Sequence, residues 1–135
     1  MSSVYDHLGG ETTLRALATR FYHHMDNLPS AKGIRAMHPH DIAHSTEKLY
    51  LFLSGWLGGP PLYVERFGHP YLRARHLPFN IGVAERDAWL LCMEHALEDC
   101  VPDLALRRSL QEAFFGLADH MRNRTESPAT PDQTV

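Results

Sequence analysis

The chain has 135 residues, of which 44% are apolar, and a formal net charge of −3 at pH 7. This length and apolar content suit one compact domain with a single core. The acidic balance argues against nucleic-acid binding, because phosphate neutralisation requires an excess of clustered lysines and arginines.

The N-terminus lacks the basic and apolar segments of a signal peptide, and no later apolar run approaches membrane-spanning length. The sequence therefore predicts a cytoplasmic protein without a membrane partner. The two cysteines, Cys92 and Cys100, lie roughly 12 Å apart if they share one helix, which is too far for a disulfide. We interpret both as reduced core residues.

Four long helices are predicted in chain order. After Gly9-Gly10, apolar residues at helical spacing predict a helix that ends near Leu28, followed by a short helical turn over residues 32–37. Asp41 is the predicted N-cap of the next helix, which ends before Gly58. These boundaries place the first two long helices in the N-terminal half of the chain.

The region from Tyr63 to His76 is irregular, with two short helical pieces separated by Gly68-His69-Pro70. Two strong helices follow, from about Val83 to Cys100 and from about Asp103 to Asn123. No segment has the pattern of a strand, so the predicted fold class is all-α.

Residues 1–123 form the predicted domain. Residues 124–135 contain two prolines and no periodic apolar positions, which is typical of a disordered tail. We assign no function to this segment.

The chain contains ten histidines, and most are predicted to have surface or structural roles, including the adjacent His23 and His24. His38, His40 and His44, with Asp41 as a fourth ligand, are dense enough to hold zinc, although their spacing is not a standard zinc signature. The segment from Asp41 to His44 fits the Glu-x-x-His pattern of a carboxylate di-iron bundle poorly.

His76 has the most restricted setting of the histidines. It follows the basic residue Arg75, and Pro78 disfavours helical geometry at Leu77. A helix that carries His76 must therefore end almost immediately after it. This fixed position at a helix end is typical of a haem-iron ligand.

From about Val4 to Met121, the sequence resembles the group II truncated haemoglobins. The order and separation of six motifs carry the resemblance: Gly9-Gly10, Arg20-Phe21-Tyr22, Gly58-Gly59-Pro60, Phe67-Gly68-His69-Pro70, Arg75-His76-Leu77-Pro78-Phe79 and Glu85-Arg86-Asp87-Ala88-Trp89. The resemblance implies a globin-like, two-over-two helical sandwich around one haem b. It also implies an abbreviated first helix and a mostly extended loop before a short proximal helix.

The resemblance assigns roles to individual residues. His76 matches the iron ligand, Ser45 the gate position of the distal helix and Leu49 the apolar residue over the haem. Arg75 is the main candidate for a propionate contact, with weaker candidates at Tyr63, Lys48 and Arg73. The cofactor-binding residues implied are His76, Arg75, Tyr63, Lys48, Leu49 and Phe79. The distal ligand-binding residues implied are Tyr22, Trp89, His38 and Ser45.

His38 departs from the family pattern, which usually has tyrosine or phenylalanine at this distal position. An unperturbed imidazole titrates near pH 6.5. We therefore hypothesise that His38 makes ligand release pH-dependent near neutrality.

The function implied is reversible binding of dioxygen and other diatomic ligands, including nitric oxide and carbon monoxide, for oxygen binding, transport or sensing. The alternative is a nitric oxide dioxygenase or a peroxidase-like enzyme that uses peroxide, with an external reductase as partner. A third possibility is a haem-free interaction protein on a globin-like fold. The sequence is compatible with a monomer or a homodimer.

Overall fold

A computed structural model of the protein describes residues 3–124, and the regular secondary structure in this range is entirely helical. The all-α prediction is therefore confirmed, whereas the predicted tail from residue 125 onward lies outside the described residues. The α-helices in chain order are α1 (Val4–Leu8), α2 (Glu11–Asn27), α3 (Lys32–Ala36), α4 (Ala43–Trp56), α5 (Leu62–Phe67), α6 (Leu72–His76), α7 (Val83–Cys100) and α8 (Leu104–His120). Within the described range, none of these helices is long and apolar enough to cross a membrane.

The start of α2 depends on the Gly9-Gly10 pair. Gly9 ends α1 with a φ of 105°, and Gly10 precedes α2 with a φ of 73°. Both angles lie in the left-handed region, which glycine adopts without the steric cost of a Cβ atom. The pair therefore turns the chain sharply from the short α1 into the first long helix.

The core lies between two helix pairs. The α2 helix packs on both α4 and α7, and α7 also packs on α8, so the pairs α2/α4 and α7/α8 meet through α2 and α7. The largest fully buried side chains come from all four helices: Phe21, Phe114, Leu14, Leu17, Met25, Leu53, Met93 and Leu97. Burying one such side chain contributes about 1.5–3 kcal/mol, so the periodic apolar positions of the sequence account for this arrangement.

The segment between α4 and α7 contains the two short helices that the sequence predicted. The α5 helix makes this segment partly helical, whereas the family resemblance implied a mostly extended loop. Tyr63 explains the difference, because its buried ring anchors α5 against the core. Gly68, with a φ of 79°, then ends the helix. A helix of six residues is too short to be stable alone, so this tertiary contact stabilises it.

The contact between α2 and α7 includes a surface cluster around Asp99. Arg20 Nε donates to one carboxylate oxygen of Asp99 at 2.9 Å, and His24 Nε2 lies 2.6 Å from the same oxygen. The His24 ring also packs 5.1 Å from the ring of His95. These hydrogen bonds, first from His24 and then from Arg20, lower the pKa of Asp99. His24 therefore has a structural role at the surface, as predicted.

The cysteines agree with the sequence interpretation. Cys92 is buried, Cys100 is half-buried, and both are free thiols. Burial raises the pKa of the Cys92 thiol to about 11. Such a thiol stays protonated at neutral pH and is a poor metal ligand, so Cys92 acts as a small core residue.

Candidate functional site

His76 is the last residue of α6, and its ring orientation is fixed from within that helix. Its Nδ1 atom lies 2.6 Å from the carbonyl oxygen of Leu72, one turn earlier. A carbonyl oxygen only accepts, so Nδ1 carries the proton and the lone pair of the neutral ring is on Nε2. This arrangement fixes the tautomer and the orientation of the ring, with Nε2 as the atom that can bind a metal.

The segment that carries His76 exposes much apolar surface. Five of the eight exposed large hydrophobic residues of the described chain lie in this segment: Val64, Phe67, Tyr71, Leu77 and Phe79. Concentrated apolar exposure on a small protein marks a binding surface. Because a porphyrin is a broad apolar plane that supplies four ligands of its own, it requires only one imidazole from the protein. The donor at His76 and its apolar surroundings therefore fit a haem.

A zinc site built only from protein ligands is not supported. Within residues 3–124, no group of three or more His, Cys, Asp or Glu side chains is placed to hold a metal ion. Asp41 instead accepts a hydrogen bond from the backbone N–H of Ala43 at 3.0 Å, at the start of α4. The prediction that Asp41 is the N-cap is therefore wrong by one residue, because Ile42 is the N-cap of α4 and Asp41 precedes it.

Tyr22 is a buried residue of α2 with a hydroxyl that is available to a ligand. Its ring packs edge-on against Phe21, with ring centroids 4.9 Å apart. Burial raises the pKa of Tyr22, and nearby Arg35 only partly opposes this effect, so the hydroxyl is protonated and can donate. Among the described residues, every fully buried side-chain N or O atom has a hydrogen-bond partner. No described residue forms a hydrogen bond with the Tyr22 hydroxyl. Its oxygen is therefore not fully buried.

Trp89 of α7 packs against the same aromatic ring as Tyr22. Phe21 brings the two together, since its ring lies 4.9 Å from Tyr22 and 5.0 Å from Trp89. The indole ring of Trp89 also packs 6.0 Å from Phe114, and the residue is half-buried. Its N–H group can only donate. Two aromatic side chains that both pack against Phe21 thus carry one hydrogen-bond donor each.

His38 follows α3 and faces Tyr22. The two rings meet at 73° with centroids 5.5 Å apart. Nδ1 of His38 lies 2.9 Å from the carbonyl oxygen of Ile34, so the neutral ring has its lone pair on Nε2, as in His76. Burial lowers the pKa of His38, and Arg35 and His76 lower it further, against the opposing effect of the Ile34 hydrogen bond. The pKa of His38 therefore lies below 6.5 in the folded protein. Titration near neutrality, which the residue type suggested, is not expected.

Arg35 holds the loop that follows His38. Its guanidinium donates to the carbonyl oxygens of Pro39 at 2.9 Å and His40 at 2.8 Å, and it pairs with Asp26 on α2. Arg35 is not among the residues predicted from the sequence. No local pattern reveals it, because the role depends on a contact between α2 and a loop.

The remaining predicted cofactor residues lie on α4, α5 and the α6 region. Ser45, Lys48 and Leu49 are half-buried on α4, and their spacing of three and four residues places them on one face. Nζ of Lys48 lies 5.2 Å from the ring of Phe67 on α5. The structure places the others in different settings: Tyr63 is buried, Arg75 and Phe79 are exposed, and Arg73 donates to the Arg122 carbonyl at 3.2 Å.

Two helix pairs around one core, with a short helix that ends on a histidine between them, are the arrangement of a two-on-two globin. A family profile described as bacterial-like globin matches residues 3–123. The chain is 42% identical over 122 residues to the group 2 truncated haemoglobin YjbI of Bacillus subtilis, with 87% of each protein covered. It is 30% identical to two-on-two haemoglobin-3 of Arabidopsis thaliana, over 94% of this chain and 76% of the relative.

Solved structures agree with these relatives. The group II 2-on-2 haemoglobin of Agrobacterium tumefaciens superposes with a TM-score of 0.87 and 47% identity, covering 91% of this chain and 95% of that one. A cold-adapted truncated haemoglobin of Pseudoalteromonas haloplanktis TAC125 gives a TM-score of 0.89 and 43% identity, over 91% and 99% of the two chains.

The chain belongs to the bacterial-like globin family, among its group 2 truncated haemoglobins. This confirms the resemblance and the globin-like two-over-two fold class. Membership implies a haem cofactor and haem-based binding of small gaseous ligands.

Proposed function

We propose that the protein binds one haem b through His76 and reversibly binds dioxygen and other diatomic ligands. One observation carries the proposal: a histidine with its lone pair on Nε2 lies in a segment with several exposed apolar side chains, while Tyr22 and Trp89 carry donor groups on rings packed against Phe21. Haem supplies the iron that takes the diatomic ligand. The chain supplies the axial nitrogen, the apolar surroundings and the donors.

Different residues contact the propionates at the edge of the haem and the apolar faces of its ring. Arg75 has an exposed guanidinium next to His76, which suits a charge-assisted hydrogen bond to a propionate. Lys48 and Tyr63 are secondary candidates on the same rim. Leu49 and Phe79 provide apolar contact.

The distal donors determine how long a polar ligand stays. Bound dioxygen acquires partial negative charge, and preorganised donors in a dry pocket stabilise such charge strongly. Tyr22 and Trp89 donate from rings that exclude water, while the small side chain of Ser45 leaves room for ligand entry. His38 in its neutral form presents an acceptor at Nε2, so it orients a neighbouring donor instead of donating itself.

The alternative function is nitric oxide dioxygenation or peroxide-dependent oxidation. The same two donors favour it, because they also stabilise the charge that develops on a polar ligand during such reactions. Repeated turnover would draw electrons from an external reductase.

Binding and catalysis are separated by two assays on one haem-loaded preparation. We expect stopped-flow dioxygen release that is complete and repeatable, together with peroxide-dependent dye oxidation no faster than that of free haem at equal concentration. Very slow release combined with dye oxidation far above the free-haem control would contradict a simple binding role and favour the enzyme.

The lowered pKa of His38 gives a prediction for pH dependence. Because burial disfavours the imidazolium, His38 is neutral above pH 6.5, and the dioxygen release rate should be constant from about pH 7 to 8.5. At more acidic pH, protonation converts Nε2 into a donor and release should slow. Stopped-flow measurements in the wild type and in His38→Phe check this. A midpoint near neutrality, or an acid effect that persists in His38→Phe, would contradict it.

A further inference from the structure

Asn123 lies three residues beyond α8, and its side chain reaches the loop that follows His76. Its amide nitrogen, Nδ2, donates to the carbonyl oxygens of Phe79 at 2.7 Å and His76 at 3.2 Å. Its amide oxygen, Oδ1, accepts from the backbone N–H of Ile81 at 3.0 Å. The backbone N–H of Asn123 also donates to the Ile81 carbonyl at 2.9 Å.

These contacts use the amide in one orientation only. The NH₂ group faces two carbonyl oxygens, and the amide oxygen faces one N–H group. A flipped amide would place its oxygen against two acceptors, so the network itself fixes the side chain. The side-chain amide of Asn123 therefore contacts the backbone at three positions, His76, Phe79 and Ile81.

The loop after His76 depends on such an external partner. The last carbonyls of a helix have no partner within the helix, and α6 is only five residues long. Pro78 has no N–H group with which to satisfy one of them. Phe79 supplies one turn contact to the His76 carbonyl at 3.0 Å, and Asn123 supplies the second donor.

Side-chain hydrogen bonds hold the C-terminal end of α8 against α7. The carboxylate of Asp119 accepts from Arg86 on α7 at 2.7 Å and from Arg122 at 2.8 Å. The Arg86 contact is the main cause of the lowered pKa of Asp119. Arg73 of α6 donates to the Arg122 carbonyl at 3.2 Å. Asn123 thus connects the His76 loop to a point that two long helices fix.

We propose that Asn123 is a positioning residue for the iron ligand, holding the His76 backbone from the end of α8 so that the imidazole keeps its alignment. The inference rests on the proposed haem binding through His76. His76 is then held twice, at Nδ1 by Leu72 within α6 and at its carbonyl by Asn123 from outside. Without the second contact, the end of α6 frays and the ring tilts relative to its metal bond.

Asn123→Ala and Asn123→Asp test this role. Alanine removes all three side-chain contacts. Aspartate has the same shape and retains an acceptor for Ile81, but it loses both donors and places negative charge against two carbonyl oxygens. The hydrogen bond from the backbone N–H of residue 123 to the carbonyl oxygen of Ile81 remains in both variants. Arg124→Ala is the matched control, because it removes a neighbouring contact to Asn80 and leaves the His76 carbonyl untouched.

The readouts are the iron–histidine stretching band of the ferrous protein, by resonance Raman spectroscopy, and the rate of haem release to excess apoglobin. We expect both Asn123 variants to shift and broaden the band and to release haem roughly five- to tenfold faster, as the loss of the one hydrogen bond to the His76 carbonyl implies. Arg124→Ala should match the wild type in both measurements.

Three outcomes separate the possible explanations. If Asn123→Asp behaves like the wild type, only the Ile81 contact matters and the proposal is overturned. It is also overturned if Asn123→Ala lowers the melting temperature while the Raman band and the haem release rate stay unchanged, because the role is then purely structural. Failure of the wild type itself to take up haem would instead overturn the proposed function.

Discussion

Replacing His76 with glycine is expected to abolish the five-coordinate ferrous haem spectrum, and added imidazole is expected to restore it. The Nε2 atom of His76 carries the lone pair of a ring whose Nδ1 is held by Leu72, and the exposed apolar side chains of Leu77 and Phe79 follow it in the chain. Haem release should accelerate more than about 100-fold, beyond the 10- to 100-fold that changes to partners of a metal ligand cause. Added imidazole occupies the space left by the side chain and supplies the nitrogen atom that binds the iron.

His40→Gly is the control for this substitution. His40 is exposed in the loop before α4, and its backbone carbonyl, which contacts Arg35, is retained in the variant. Its spectrum and haem release rate should match those of the wild type. A His76→Gly protein that keeps the wild-type spectrum without imidazole would show that another residue is the ligand.

Tyr22→Phe is expected to accelerate dioxygen release by roughly 10- to 150-fold. The ring and its edge-on contact with Phe21 are retained, so the change removes the hydroxyl alone. That hydroxyl has no partner among residues 3–124, and burial keeps it protonated. A hydrogen bond to a charged group contributes about 1.5–3 kcal/mol, which corresponds to the stated factor in rate.

Stopped-flow release of dioxygen and of carbon monoxide tests this prediction. Carbon monoxide acquires less charge on binding, so its release should change far less than that of dioxygen. Tyr50→Phe is the matched control, because Tyr50 is a buried tyrosine of α4 whose ring contacts Arg15. Equal dioxygen release rates in Tyr22→Phe, Tyr50→Phe and the wild type would exclude Tyr22 as a ligand donor.

The long helices were predictable because each buries one stripe of apolar residues at helical spacing. The predicted last helix, from Asp103 to Asn123, is instead α8 at Leu104–His120. Asp103 caps its start by accepting from two backbone N–H groups, as its residue type suggests. The helix stops early because Arg122 and Asn123 bond to α6 and its loop, and periodicity contains no information about such contacts.

Some functional residues can be predicted from the local sequence, whereas others cannot. His76 has a local signal, because Pro78 ends its helix. Tyr22 and Trp89 sit on amphipathic helices where a core role is equally consistent with the pattern, so only the family motifs single them out. Asn123 has no local signal, since its partner His76 is 47 residues away in the chain. Contacts of this kind become visible only when the fold is known.

His38 shows how burial changes a prediction made from residue type. The sequence suggested titration near neutrality, the ordinary behaviour of an imidazole. In the fold, the ring packs against Tyr22 and donates to Ile34, and burial lowers its pKa. Neither the burial nor the hydrogen bond can be inferred from a histidine followed by a proline.

Absorption spectroscopy of the purified protein reconstituted with haem b tests the central claim most directly. We predict uptake of one haem per chain with a strong Soret band, a five-coordinate spectrum in the ferrous state and a further shift on adding carbon monoxide. A protein that shows no Soret band after reconstitution, or whose ferrous spectrum does not respond to carbon monoxide, would contradict haem-based ligand binding at His76.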